Sequence, residues 1–248
     1  MNPRVFDIGG VQVGVGQPCR FIAEISNNHN GNLLLAFAMI HAAKAAGADF
    51  VKFQCYTPDE LVALRGDGPA PDPWGKDGWT MHTLYEKAQT PMVWFPKLFA
   101  YARKVGIPAF SSMFGLDSLA MLERCECPAY KIARLDNQHR HLTRHVVATG
   151  KPLIVSADWT DLSTPADLRL CCPPGYPQAA DAKWPGSYEG MWDGISYHGT
   201  DPAVPAQCAR EGARLVEVHF QLDSTPSELE ANVSLTESQF AEMVRLSQ

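Results

Sequence analysis

The amino-acid sequence predicts a (β/α)8 barrel (a TIM barrel), and three observations lead to that fold class. The chain has 248 residues, a length at which one α/β barrel is common. Eight short apolar segments alternate with segments of helical character, which is typical of parallel strands joined by crossover helices, and eight such units close into a barrel. No GxGxxG motif follows the first strand, which disfavours the alternative of a doubly wound open sheet. We therefore expect residues 1–248 to form a single barrel domain.

The predicted strands are apolar runs that are short enough to be buried in a barrel. In chain order they lie at 20–26, 50–56, 108–114, 129–133, 152–157, 168–173, 192–198 and 214–223.

The predicted helices fill most of the connections between these strands. They lie at 32–47, 91–106, 116–126, 137–149 and 201–213. Gly47 ends the first helix, and Pro91 suits the first turn of the second, in which Pro96 is a local irregularity.

Three connections depart from this regular pattern. Only about ten residues separate the fifth strand from the sixth, which is barely enough for one helical turn in that connection. The next connection contains Pro185 and Gly186. We therefore expect the fifth and sixth crossover helices to be shortened or missing. The segment 57–80 is rich in glycine, proline and aspartate and predicts a long loop, which suits a lid or a subunit contact.

Composition excludes several classes of protein. The formal net charge of −6 argues against non-specific nucleic-acid binding, which requires a basic surface. The first 20 residues contain no long apolar run, so neither a signal peptide nor a membrane span is expected. Seven cysteines occur without a CxxC pair, which argues against a structural zinc site and favours reduced thiols in a reducing compartment. We expect a cytoplasmic protein.

Polar side chains gather where the predicted strands end. In such a barrel the active site lies at the carboxyl ends of the strands. The polar side chains found there are Glu24, Ser26, Asn28, Lys52, Gln54, Ser111, Ser112, Lys131, Ser156, Ser196, His198, Glu217 and His219. Several are two residues apart and so share one face of a strand. Because a buried charge is costly unless it is paired or liganded, this pattern predicts one shared, charge-balanced cavity.

The residue types indicate the chemistry of that cavity. Lys52 and Lys131 suit a dianion such as phosphate. His198 and His219 could ligate one divalent metal and leave positions open for substrate and water, and a carboxylate such as Glu24 could act as general base.

Each of these residues also has a purely structural interpretation. Lys52 could extend its ammonium group to the rim of the barrel, and Glu24 could simply neutralise a lysine. His198 and His219 could be core histidines with satisfied hydrogen bonds. His29 directly follows the first strand and could face the site.

The order of motifs along the chain adds a resemblance. The relevant segments are FIAEISNNHNGN, AAKAAGADFVKFQCYTPDEL, LYEKAQTP, FAYARKVGIPAFSSMFGLDSLAMLE, PAYKIARLD, ATGKPLIVSA, GISYH and VEVHFQLD. In this order they resemble the sialic acid synthases, the N-acetylneuraminate synthase-like (β/α)8 enzymes that condense phosphoenolpyruvate with an amino sugar. The resemblance covers residues 20 to about 240.

The resemblance implies a set of roles. His198 and His219 would hold a divalent metal, manganese in the first place and otherwise magnesium or cobalt. The residues that would hold phosphoenolpyruvate are Lys52, Lys131, Ser112, Ser156 and Ser196. Those that would line the pocket are Asn28, Gln54 and Glu217. Glu24 would be the catalytic carboxylate that activates water. The product would be a chain-extended 2-keto acid, released with phosphate by C–O cleavage, and a homodimer is compatible with the resemblance.

The chain departs from the resembled family at several positions. Arg134 stands where a small residue, usually serine, follows the YKIA segment, and its fork of donors suits a carboxylate or phosphate of either substrate. Pro173 and Pro174 remove backbone donors after the sixth strand. An expected Asp-His-Lys is replaced by Glu230, Ala231 and Asn232, and no C-terminal antifreeze-like domain is expected.

These departures affect the acceptor half of the site more than the phosphoenolpyruvate half. We therefore expect a sugar-like or nucleoside-like aldehyde as acceptor. Two other hypotheses remain at this point: a metal-dependent aldolase or isomerase on the same barrel, and a degenerate barrel that binds a phosphorylated ligand without turnover.

Overall fold

Eight parallel strands form a closed barrel in the computed structural model, which describes residues 4–72 and 74–248. The strands are β3 (Arg20–Glu24), β4 (Phe50–Cys55), β5 (Ala109–Met113), β6 (Tyr130–Ile132), β7 (Leu153–Ala157), β8 (Leu168–Cys171), β9 (Gly194–Tyr197) and β10 (Leu215–Gln221). They pair in chain order, and β10 closes the barrel by pairing with both β9 and β3. The predicted fold class is confirmed.

Closure of the barrel depends on a glycine at the start of β9. Gly194 lies opposite Leu215 in the register of β9 with β10. A Cβ atom at Gly194 would overlap the carbonyl oxygen of Leu215. The two strands can therefore approach this closely only because residue 194 has no side chain.

Helices surround the barrel except on one side. The helices are α1 (Leu33–Ala45), α2 (Pro58–Arg65), α3 (Met81–Ala88), α4 (Phe95–Val105), α5 (Leu116–Arg124), α6 (Arg140–Ala148), α7 (Ala203–Arg210) and α8 (Glu237–Leu246). Residues 158–167 and 172–193, all of them described, contain no helix, as expected for the fifth and sixth crossovers. Pro96 lies in the first turn of α4, so it begins that helix and does not disturb its interior.

The first part of segment 57–80 forms a helix, so the prediction of a loop is wrong for that part. Thr57 and Glu60 form a capping box, with a proline in the first turn, and α2 follows. The Thr-x-x-Glu spacing is a helix-start signal that the high glycine and proline content of the segment obscured. Arg65, at the end of α2, donates two hydrogen bonds of 3.0 and 2.7 Å to the buried Asp136. This part of the segment is therefore a helix fixed to the barrel.

A hairpin and one short strand add to the eight predicted strands, just as α2 and α3 add to the predicted helices. A hairpin of β1 (Val5–Ile8) and β2 (Val11–Gly14) precedes the barrel. Its Ile8 and Val13 side chains are fully buried in the main core, so the hairpin closes the amino-terminal end of the barrel. The strand β11 (Ser234–Thr236) adds to β10 in parallel. Within the described part of the chain, every helix is too short or too polar to cross a membrane.

Candidate active site

The buried charged side chains of the barrel meet at the carboxyl ends of its strands. Glu24, Lys52, Lys131 and Glu217 are each at most 3% exposed. The strand register brings them together, because Glu24 lies opposite Lys52 on neighbouring strands. Such charges are tolerated in a core only when they are paired and hydrogen-bonded.

Two ion pairs supply that compensation. Lys52 pairs with Glu24, and Lys131 pairs with Glu217. The second carboxylate oxygen of Glu217 also lies 3.8 Å from Nζ of Lys52. Glu217 therefore lies between the two ammonium groups and links both pairs into one network.

Serine hydroxyls complete the coordination of the lysines. Nζ of Lys52 donates to Oγ of Ser112 at 3.1 Å, and Nζ of Lys131 donates to Oγ of Ser196 at 3.3 Å. The Ser196 hydroxyl in turn donates to Glu217 at 3.0 Å. The serines thus lie where they could turn from the lysines to a bound anion.

A second set of hydrogen bonds fixes Glu24. Its Oε1 atom accepts the backbone N–H of Ser26 at 2.8 Å, and the amide of Gln54 donates to the Ser26 hydroxyl at 3.0 Å. Glu24 is therefore held on one oxygen by the backbone while the other faces Lys52.

For both Lys52 and Glu217, burial and ion pairing act on the pKa in opposite directions. Burial lowers the pKa of Lys52 to about 7, against an opposing effect of Glu217. Burial alone would favour the neutral form of Glu217, yet Lys131 and Lys52 outweigh it and hold the pKa of that carboxyl below its usual range. The carboxylate is therefore charged at neutral pH, whereas Lys52 lies close to its point of titration.

The two predicted metal-binding histidines are neighbours. The ring centroids of His198 and His219 are 5.1 Å apart. Nδ1 of His219 lies 3.2 Å from a carboxylate oxygen of Glu230, and Nδ1 of His198 lies 3.8 Å from the Cys172 sulfur. Burial, together with His219 and Lys131, lowers the pKa of His198 well below its ordinary value. That histidine is therefore neutral, which is the form that binds metals.

Glu230 and Tyr176 belong to this site, although the sequence did not identify them as site residues. The Tyr176 hydroxyl donates to Glu230, and the Tyr176 ring lies 5.1 and 5.7 Å from the rings of His198 and His219. Burial opposes the charge of Glu230, but His219 and then Tyr176 outweigh it and lower its pKa to about 2. The only sequence signal was that Glu230 replaces an expected acidic residue; Tyr176 reaches the site from a loop.

Other predicted residues lie around this centre. Oγ of Ser156 accepts the backbone N–H of Arg134 at 3.1 Å, and the Arg134 guanidinium donates to Asp158 at 3.4 Å. The amide of Asn28 donates to the backbone oxygen of Phe220 at 2.8 Å, so in this structure it joins the loop after β3 to β10.

His29 does not face the site. It is fully buried, its Nδ1 accepts the backbone N–H of Gly31 at 3.1 Å, and its Nε2 lies 2.9 Å from the Thr90 hydroxyl. Its ring also packs edge-on against Trp94. The suggestion from the sequence that His29 could line the cavity is therefore wrong.

Within the described residues, no group of three or more histidine, cysteine, aspartate or glutamate side chains is arranged to hold a metal ion. A divalent ion at this site would therefore be held on the protein side by two imidazoles, with other positions left for water or substrate. The donor set fits that arrangement, because each imidazole is oriented through Nδ1 by a second residue, as is usual for metal-binding histidines.

Comparison with known proteins gives consistent findings. The sequence matches the model of the NeuB family over residues 39–167 and 186–248. It is 34% identical over 250 residues to a pseudaminic acid synthase from Helicobacter pylori, covering 92% of this chain and 73% of that protein. It is 28% identical over 265 residues to the N-acetylneuraminate-9-phosphate synthase of Mus musculus, covering 95% of this chain and 71% of that protein.

A solved structure supports the fold. The crystal structure of an N-acetylneuraminic acid synthetase from Leptospira borgpetersenii superposes with a TM-score of 0.84, at 23% identity, over 99% of this chain and 88% of that one.

Proposed function

Because the chain belongs to the NeuB family, we propose that it joins phosphoenolpyruvate to a sugar-like or nucleoside-like aldehyde. The enzyme is a transferase-type synthase that forms a C–C bond, and its products are a chain-extended 2-keto acid and phosphate. The observation that carries this function is the buried network of two lysines, two carboxylates and two serines. A cavity of that kind suits a small, multiply charged substrate.

Phosphoenolpyruvate would lie against the lysines. Lys52 and Lys131 would share their charge with its phosphate, and the hydroxyls of Ser112 and Ser196, which now accept hydrogen bonds from those lysines, would donate to it. Glu24 and Glu217 keep the lysines in place while the pocket is empty of substrate. The cationic side chains are therefore preorganised, and little energy is needed to reorient them when the anion binds.

The carbon–carbon bond forms between the methylene carbon of phosphoenolpyruvate and the carbonyl carbon of the acceptor, whose C=O π bond opens and whose oxygen takes up a proton to become a hydroxyl. The second carbon of phosphoenolpyruvate is then electron-deficient and accepts the oxygen of a water molecule. Glu24 would take the proton of that water, since its carboxylate is fixed by Ser26 and lies beside Lys52. Phosphate leaves as the C–O bond breaks, and the 2-keto group remains.

His198 and His219 would hold a divalent metal, manganese in the first place, which supplies Lewis-acid polarisation of the acceptor carbonyl. Glu230 would keep His219 in the tautomer whose Nε2 carries the lone pair, because Nδ1 faces its carboxylate. Neither the relatives nor the site gives support to an aldolase, an isomerase or a barrel without turnover.

The test is the release of phosphate from phosphoenolpyruvate with a panel of sugar and nucleoside aldehydes in the presence of manganese. We expect acceptor-dependent release, a product mass equal to acceptor plus pyruvate, and an ¹⁸O label in the bridging position of phosphoenolpyruvate that appears in the phosphate. His219→Ala should abolish release, whereas His41→Ala, at an exposed position on α1, should not. No release with any aldehyde would refute the proposal, and label retained in the organic product would refute C–O cleavage.

A further inference from the structure

Arg134 occupies a fixed position beside the lysine network. It directly follows β6, which carries Lys131, and it begins a 3-10 turn over Arg134–Asp136. Its backbone N–H is bound by Ser156, and Asp136 at the other end of the turn is bound by Arg65. The base of the Arg134 side chain is thus held from both β7 and α2.

The guanidinium group itself is only weakly engaged. Its hydrogen bond to Asp158 is long, at 3.4 Å, and the side chain is 25% exposed. The other carboxylate oxygen of Asp158 accepts hydrogen bonds from the backbone and hydroxyl of Thr160. A guanidinium carries five N–H donors in a planar fork, so most of its capacity is left for a ligand.

The guanidinium lies at the carboxyl end of the barrel. Asp158, to which it donates, directly follows β7, and Ser156 in β7 accepts the backbone N–H of Arg134. Lys131 lies three residues before Arg134, in the neighbouring strand β6. Arg134 therefore extends from the end of β6 across to the end of β7, beside the strand that carries Lys131.

The lysines already have carboxylate partners before substrate binds. Lys52 pairs with Glu24, and Lys131 pairs with Glu217. Phosphoenolpyruvate adds both a phosphate and a carboxylate. A further cationic donor beside the lysines would therefore favour the binding of this anion.

Two residues of the loop after β8 have no backbone donor. Pro173 and Pro174 follow Cys172 and have no backbone N–H. A phosphate that lay near Cys172 would therefore find few backbone donors there, and a guanidinium fork is the side chain that best matches phosphate geometry.

We propose that Arg134 binds the phosphate of phosphoenolpyruvate together with Lys131, and exchanges its hydrogen bond to Asp158 for that contact. This inference rests on the proposed function, because it names phosphoenolpyruvate as the ligand. It assigns Arg134 to the first substrate and not to the acceptor aldehyde.

The experiment measures the binding of phosphoenolpyruvate alone, by calorimetry without acceptor and at one fixed manganese concentration. Arg134→Ser should weaken binding about ten- to hundredfold, as expected for the loss of a charge-assisted hydrogen bond to phosphate, and Arg134→Lys should lie between that variant and the wild type. Asp158→Asn should bind at least as tightly as the wild type, because the guanidinium loses a competing carboxylate. Arg245→Ser, which removes an exposed arginine of α8, is the matched control and should bind normally.

Steady-state kinetics with an active acceptor supply the second readout. For Arg134→Ser we expect a raised KM for phosphoenolpyruvate and an unchanged KM for the aldehyde. Unchanged binding of phosphoenolpyruvate, or a raised KM for the aldehyde alone, would overturn the inference and leave the proposed function intact. Equal losses in Arg134→Ser and Asp158→Asn would make the pair structural and also overturn it. Wild-type protein that turns over no substrate and binds no phosphoenolpyruvate would overturn both proposals.

Discussion

Removal of one partner from the Lys131–Glu217 pair should destabilise the protein strongly, whereas removal of both should not. Each side chain is at most 4% exposed. Glu217→Gln leaves Lys52 and Lys131 with the single carboxylate of Glu24, and Lys131→Met leaves two carboxylates with one lysine. Either change leaves an unpaired charge in the core. We therefore expect a loss of about 3–5 kcal/mol in the free energy of unfolding.

The double variant Lys131→Met/Glu217→Gln restores the balance of charge. Lys52 and Glu24 then remain as a complete pair. Since a buried ion pair roughly cancels its own desolvation cost, we expect the double variant to lie within about 1–2 kcal/mol of the wild type. Its loss should therefore be far smaller than the sum of the two single losses, although catalysis should be lost in all three variants.

Urea unfolding followed by circular dichroism measures the four proteins of this cycle at pH 7. The coupling energy should exceed about 3 kcal/mol, which is at the upper end for residues in contact. It should change little between low and high salt, because buried charges are poorly screened. A double variant that loses the sum of the single losses would show that the two residues do not act as a pair and would refute the reasoning.

Three further predictions concern the histidines and Lys52. Glu230→Gln should weaken manganese binding about 10- to 100-fold, as loss of an orienting partner of a metal-binding histidine usually does. Electron paramagnetic resonance of manganese measures this affinity on the protein without substrate. An unchanged affinity would contradict the role of Glu230 at His219. The pKa of Lys52 is about 7, so its ammonium form dominates below that pH. The affinity for phosphoenolpyruvate should therefore fall as the pH rises through 7. Calorimetry from pH 6 to pH 8.5 tests this, and an affinity that does not change with pH would count against it. Burial lowers the pKa of His29 to about 4, from an ordinary value of 6.5, so its contribution to stability is complete above pH 6.5 and is lost as the pH falls toward 4. That contribution amounts to about 3 kcal/mol, and urea unfolding at pH 7 and pH 4 should show a smaller difference for His29→Gln than for the wild type.

The sequence predicted the barrel well because its strands are apolar and its interruptions are visible. The eight strands and the absence of helices at 158–167 and 172–193 were all anticipated. The helix α2 is not evident from composition, because the glycine and proline content of segment 57–80 obscures the capping box at Thr57. The hairpin of β1 and β2 was missed because its buried residues, Ile8 and Val13, are few and isolated in a glycine-rich segment.

The residues of the candidate site also differ in how well the sequence predicts them. Charged residues within apolar strands, such as Lys52 and Glu217, can be recognised in the sequence because a buried charge is costly without a partner. The structure places both residues in one network. Their catalytic roles stay predictions. Glu230 and Tyr176 cannot be assigned to the site from the sequence, because they lie on loops. Only the packing of those loops brings them close to His219.

The gap in the helical layer leaves part of the barrel rim without helical support, at residues 158–167 and 172–193. Asp158, Cys172 and Tyr176 all come from the two connections without helices, and they touch Arg134, His198 and Glu230. Because those loops are not tied to a packed helix, their length and shape can change during evolution without shifting the strands that carry the lysines. Changes in length or sequence on this side of the rim should therefore cost less stability than changes on the sides that are backed by helices.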